Sequence, residues 1–205
     1  METQHDSLQI LFIRHDETNY NDIGDRDPSD GDLNPNGEQQ CVYLGEKLRD
    51  LQIDAYITSS LLRSFKTAVG VCNAKKNKPL LEICPELVEC GCTPGYYGCS
   101  EEYLKKYYKN TKMLKNLFGT EKYEFGCEKI EDNNLRAQKI VDYIKENYTK
   151  GQTVAVFSHH GMLEYLIPTA LGLETRKFFF SLDNISLTVV QYTRDGACIL
   201  RDVNK

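Results

Sequence analysis

The stretch LQILFIRHDETNYN, residues 8–21, decides the fold. From Leu8 to Ile13 only Gln9 interrupts a β-prone apolar run, and the run then stops abruptly on Arg14 and His15. A nearly continuous run of this length suits a strand covered on both faces, as in a parallel sheet with helices on either side. Two further segments share the pattern of a short apolar run and a polar stop: IDAYIT, residues 53–58, and TVAVFS, residues 153–158.

Helical periodicity fills the intervals. NGEQQCVYLGEKLRDL, residues 36–51, sets Cys41, Leu44, Leu48 and Leu51 on one stripe, and NNLRAQKIVDYIKENY, residues 133–148, does the same with Leu135, Ile140, Val141, Ile144 and Tyr148. Near the end, ISLTVVQYT and ACILRDV flank Arg194-Asp195-Gly196, and Asp-Gly is a hairpin turn signal. Alternating strands and helices, with no linker or internal repeat, predict one domain over residues 1–205. Its expected architecture is a three-layer α/β/α sandwich, with a mostly parallel central sheet and an antiparallel edge strand. The least regular part, at about 90–127, reads as an insertion over the sheet.

Composition narrows the function. With 25 basic and 30 acidic residues the net charge is −5, which favours neither nucleic acid nor an anionic membrane as partner. The N-terminal METQHDSLQI lacks a basic segment followed by a long apolar core, and no apolar run approaches membrane-spanning length. The expected location is therefore the cytoplasm. Eight cysteines (41, 72, 84, 90, 92, 99, 127 and 198) are then expected as thiols. Four crowd into CPELVECGCTPGYYGC, residues 84–99, but without paired CxxC knuckles or a nearby histidine, so no metal is expected there.

In open α/β sheets ligands bind beyond the carboxyl ends of the strands. Arg14 and His15 follow the first strand, Arg63 the second, and His159 the strand at 153–158. Two guanidiniums and two imidazoles at one sheet edge suit a phosphoryl group. Arginine forks match phosphate oxygens, and a neutral imidazole nitrogen can attack phosphorus. Arg63 stands at a helix start, where a cation opposes the helix dipole and an anion would relieve the conflict.

RHDETNYN, LNPNGEQQ, TSSLLRSFKTA, LVECG and VFSHHG, in this order from residue 14 to residue 161, resemble the successive motifs of the histidine phosphatase superfamily, in its phosphoglycerate mutase-like branch. The resemblance implies a phosphatase that hydrolyses phosphomonoesters through a phosphohistidine on His15. Arg14, Arg63 and a protonated His159 would line the phosphate pocket, and Asn21 would contact the phosphoryl group. Glu89 would protonate the leaving alcohol and then help to activate water, although Glu86 lies only three residues away. No cofactor is implied. The partner would be a small phosphorylated metabolite or a phosphopeptide, and the oligomeric state is left open.

The resemblance also has departures. Asp16 stands where the family places a small residue, and either orients His15 through a local hydrogen bond or repels phosphate. Ser158-His159-His160-Gly161 replaces the common Ser-His-Gly-Gly, and His160 reads as a turn residue. Tyr96 and Tyr97 occupy the region that faces the leaving group. Two alternatives stay open: a phosphoglycerate mutase, which shares the intermediate, and a pseudoenzyme that binds phospho-ligands. The chain ends at Lys205, just past its last hairpin, which favours hydrolysis over mutase chemistry. Lys105, Lys109 and Lys112 are expected on one solvated helix face, and the aspartate-rich loop at 21–33 as a surface connection.

Overall fold

A computed structural model describes residues 7–18, 31–91, 98–119, 128–149, 151–175, 177, 179–193 and 195–205. The run that opens the chain forms strand β1 (Leu8–Arg14), which lies inside a seven-stranded sheet. The other strands are β2 (Ala55–Thr58), β3 (Leu81–Ile83), β4 (Thr111–Met113), β5 (Thr153–Ser158), β6 (Leu187–Tyr192) and β7 (Cys198–Asp202), in the spatial order β4-β3-β2-β5-β1-β6-β7. From β4 to β1 every pairing is parallel, whereas β6 pairs antiparallel with both β1 and β7. The sheet is thus mostly parallel with an antiparallel edge.

Alternation along β1 shows why its sequence is apolar throughout. Ile10 and Phe12 point into one core, which they share with helices α4 (Ile130–Asn147) and α5 (His160–Leu171). Leu11 and Ile13 point into the other, shared with α1 (Pro35–Leu48) and α2 (Leu62–Ala74). With both faces covered, a polar residue on either side would have to be buried. α1 starts cleanly because the Asn34 side chain accepts from the Gly37 N–H at 2.7 Å and Pro35 occupies the first turn.

Three local expectations are corrected. α1 ends at Leu48, so Leu51 is not part of its stripe and is 39% exposed. On α4 the buried face is Asn133, Arg136, Ala137, Ile140, Val141 and Ile144, while Leu135 is 50% exposed. The lysines of 105–115 do not share a helix face, because the helix there, α3, covers only Glu101–Leu104 and Lys112 belongs to β4. Part of the segment at 90–127 is therefore built into the sheet, as β4 pairs with β3. Among the described residues no helix is long and apolar enough to cross a membrane.

Candidate active site

β2, β5 and β1 are neighbours, and their carboxyl ends lie level: Arg14 is paired with Ser158, and Thr58 with Phe157. The chain leaves them as Arg14-His15-Asp16, Thr58-Ser59-Ser60 and Ser158-His159-His160. Arg63, in the first turn of α2, is 6% exposed. Of the expected site residues, Arg14, His15, Arg63, Glu89 and His159 meet at this edge; Asn21 lies outside the described residues, as do Tyr96 and Tyr97.

His15 and His159 are both buried, with ring centroids 5.1 Å apart. The Nδ1 of His15 lies 2.6 Å from the carbonyl oxygen of Asp16. A carbonyl only accepts, so Nδ1 carries the proton and the lone pair of the neutral ring is on Nε2. The backbone on either side is pinned as well, since the His15 N–H donates to Ser158 O at 3.0 Å and Asn184 Nδ2 donates to His15 O at 3.2 Å. On His159, Nε2 is 3.0 Å from Ser59 Oγ, and the buried Nδ1 has no partner among the described residues.

Burial, followed by the Arg63 guanidinium, holds both imidazoles well below the ordinary histidine value. Without a ligand this favours the neutral form of His159, whereas the protonated state expected of it belongs to the pocket with a phosphoryl group in place. An anion among these guanidiniums would reverse the balance of charge and favour its protonation. Arg14 Nη1 donates to Leu182 O at 2.6 Å, whereas its buried Nε has no partner among the described residues. Buried polar atoms are rarely left unpaired, so an unpartnered guanidinium nitrogen and imidazole nitrogen at one edge mark a place for an acceptor-rich ligand.

Glu89 follows a short 3-10 turn, Pro85–Leu87, and sits over the start of α5. Its Oε1 accepts from the N–H groups of Cys90 (2.8 Å) and Met162 (3.0 Å), and its Oε2 from that of Gly161 (3.2 Å). The helix N-terminus thereby gains a partner for its orphan donors. Gly161 is required by this contact, because a Cβ there would lie 2.7 Å from Glu89 Oε1. Glu86 is directed elsewhere: its Oε1 accepts from Leu117 N–H at 2.9 Å and its Oε2 from the Cys84 thiol at 3.3 Å. His160 begins α5 and is only partly buried.

Asp16 is fully buried, and its side chain turns away from the pocket. The Cys41 thiol on α1 donates to its Oδ2, and its backbone N–H donates to Thr67 Oγ1 on α2 at 3.1 Å. It therefore orients His15, but through its carbonyl and not through its carboxyl group. Ser59, Asn184 and Arg136 are site neighbours that sequence reasoning missed. The polar run Thr58-Ser59-Ser60 after an apolar strand was the available signal for the first.

A model of the histidine phosphatase superfamily (branch 1) matches residues 10–205. Phosphoserine phosphatase 1 of Hydrogenobacter thermophilus is 25% identical over 197 residues, which cover 95% of this chain and 91% of that protein. Among solved structures, a putative alpha-ribazole-5'-P phosphatase from Escherichia coli superposes with a TM-score of 0.72 at 22% identity, over 97% of both chains. A phosphoserine phosphatase from Entamoeba histolytica, in complex with 3-phosphoglyceric acid, does so with a TM-score of 0.65 at 24% identity, again over 97% of each. The extent of the family match and the shared sheet architecture place the chain in branch 1 of the histidine phosphatase superfamily, to which it belongs.

Proposed function

We propose that this protein is a phosphatase that hydrolyses small phosphomonoesters through a phosphohistidine on His15. The observation that carries this reading is the hydrogen bond from His15 Nδ1 to the Asp16 carbonyl, which leaves Nε2 with a lone pair beside the buried guanidinium of Arg63 and the half-buried one of Arg14. In the first step Nε2 attacks phosphorus, the ester P–O bond breaks, and the leaving oxygen takes a proton from Glu89. The ring becomes a cation whose Nδ1–H still donates to the Asp16 carbonyl. In the second step water attacks phosphorus, Glu89 takes its proton, and the P–N bond breaks to return neutral His15. Arg14, Arg63 and His159 meet the charge on the equatorial oxygens, with Asn21 as a further phosphate contact.

Small acidic substrates such as O-phosphoserine suit this reading, because the full-length relative named for phosphoserine covers nearly the whole chain. The guanidiniums supply the charge neutralisation that a cation gives other phosphoryl-transfer enzymes, so turnover is expected to survive a chelator. The test is phosphate release from p-nitrophenyl phosphate and O-phosphoserine, together with trapping of an acid-labile phosphoenzyme. Loss of both in His15→Ala is expected, and phosphate release by His15→Ala at the wild-type rate would overturn the mechanism. Interconversion of phosphoglycerates faster than phosphate release would instead mark a mutase, and absence of both activities a binding protein.

A further inference from the structure

Arg136 is the largest fully buried side chain among the described residues, and it stands on the core face of α4 where a leucine would fit the pattern. An arginine fully out of water is costly unless each donor is matched. Here Nη1 donates to the carbonyls of Glu86 (3.0 Å) and Val88 (2.7 Å), and Nη2 to Asn133 Oδ1 (3.0 Å) and Glu128 Oε2 (3.0 Å). Its Nε lies 2.7 Å from Glu128 Oε1 in an ion pair that is buried on both sides, and Nη2 is also 3.5 Å from Cys90 Sγ.

These partners are not a random lining. Glu86, Val88 and Cys90 alternate along the segment that carries Glu89, and two of the contacts are to the residues on either side of it. Because the 3-10 turn ends at Leu87 and the chain continues extended from Val88, these carbonyls have no helical donor to meet them, and the guanidinium supplies one. The Glu89 carboxylate is fixed from the other side by the N–H groups of α5. Backbone and head group are thus held by two different helices.

We infer that Arg136 is a positioning residue for the reaction: through the Glu86–Cys90 backbone it sets where the Glu89 carboxyl group meets the leaving oxygen. This rests on the reading of Glu89 as the proton donor. A lysine could not reproduce the clamp, since an ammonium is a point charge and lacks the planar fork that spans two carbonyls and a carboxylate. Glu128 is the counter-charge that makes the clamp tolerable in the core.

The test compares kcat/KM for phenyl phosphate with that for p-nitrophenyl phosphate, whose leaving group departs without help from an acid. Breakdown of the phosphoenzyme is common to both esters, so the ratio reads leaving-group protonation alone. In Arg136→Lys the phenyl phosphate value should fall by about tenfold or more, while the p-nitrophenyl phosphate value stays within about threefold. Combining Arg136→Lys with Glu89→Gln should add nothing to the loss of Glu89→Gln on phenyl phosphate. As a folded control, Arg136→Met with Glu128→Leu removes both buried charges together, a replacement that often preserves stability, and should show the same selective loss. Equal losses on the two esters, or additive losses in the Glu89 combination, would overturn the inference. If Glu89→Gln alone affected both esters equally, the assignment of Glu89 would fail instead.

Discussion

Ser59 Oγ lies 3.0 Å from His159 Nε2, and it also accepts the N–H of Leu61 at 3.2 Å, so one hydroxyl ties the second histidine to the start of α2. The rings of His159 and His15, tilted at 55° to one another, are held at one sheet edge by this bond on one side and by the Asp16 carbonyl on the other.

Removing that tie should weaken anion binding without unfolding the protein. A buried hydrogen bond contributes about 1 kcal/mol or somewhat more, so Ser59→Ala should raise the inhibition constant for vanadate by about tenfold. His159→Ala should raise it further. Vanadate inhibition of p-nitrophenyl phosphate hydrolysis measures both, and an unchanged constant in Ser59→Ala would deny the hydroxyl its role.

Both imidazoles titrate well below the ordinary histidine value, chiefly because they are buried and then because of Arg63. The unfolded chain therefore binds more protons than the folded one just below the ordinary value. Their contribution to stability is present above about pH 6.5 and is lost as pH falls through the folded values. Because Asp16 titrates with the opposite sign over the same range, the test uses ligand-free Asp16→Asn, whose urea midpoint should drop between about pH 6.5 and about 5, and inorganic phosphate, by offering a counter-charge, should reduce the drop. A midpoint flat across this range, with and without phosphate, would contradict neutral buried rings.

Asp16 follows the opposite sign. Burial pushes its carboxyl group up to about 7, although hydrogen bonds from Cys41 and Thr67 oppose the shift. Because the folded value is raised above the unfolded one, the stability tied to its protonated form is complete below about pH 4. It is lost as pH rises to about 7. Asp16→Asn should therefore match the wild type at pH 4 and exceed it by an amount on the order of a few kcal/mol at pH 8, as read from urea unfolding. A constant difference at all pH values would show that Asp16 does not titrate there.

How much of this was legible in the sequence follows from what kind of contact each residue makes. β1, β2 and β5 could be read because double-sided burial demands apolar residues in sequence, and Arg14, His15, Arg63 and His159 because they stand at strand or helix ends. β3 and β4 have three residues each, too few for any period to show. Arg136 reads as surface and Leu135 as core by composition; the reverse holds because the Glu86 and Val88 carbonyls, distant in sequence, require a donor, and the Glu128 carboxylate supplies the counter-charge. The direction of the Asp16 side chain likewise depends on Cys41 and Thr67, which only the packing of α1 and α2 brings to it.

Gly161 offers a test in which stability and activity should move apart. A Cβ at this position would lie 2.7 Å from Glu89 Oε1 and 3.3 Å from Glu89 Cδ, and its next neighbour, Cys90 Cβ, is at an unstrained 3.6 Å. The obstacle is thus the end of one flexible side chain and not backbone, so Gly161→Ala can be accommodated by turning Glu89 aside. Alanine in place of glycine within a helix favours the fold by up to about 1 kcal/mol, which offsets the lost contacts. The melting temperature should stay level or rise. Activity should fall, because a displacement of about 1 Å at a reacting group can cost about a hundredfold. With Glu89 as the acid, the loss should be large for phenyl phosphate and small for p-nitrophenyl phosphate. A variant that folds as well as the wild type and keeps its full rate on phenyl phosphate would show that the position of Glu89 over α5 is of no consequence to the reaction.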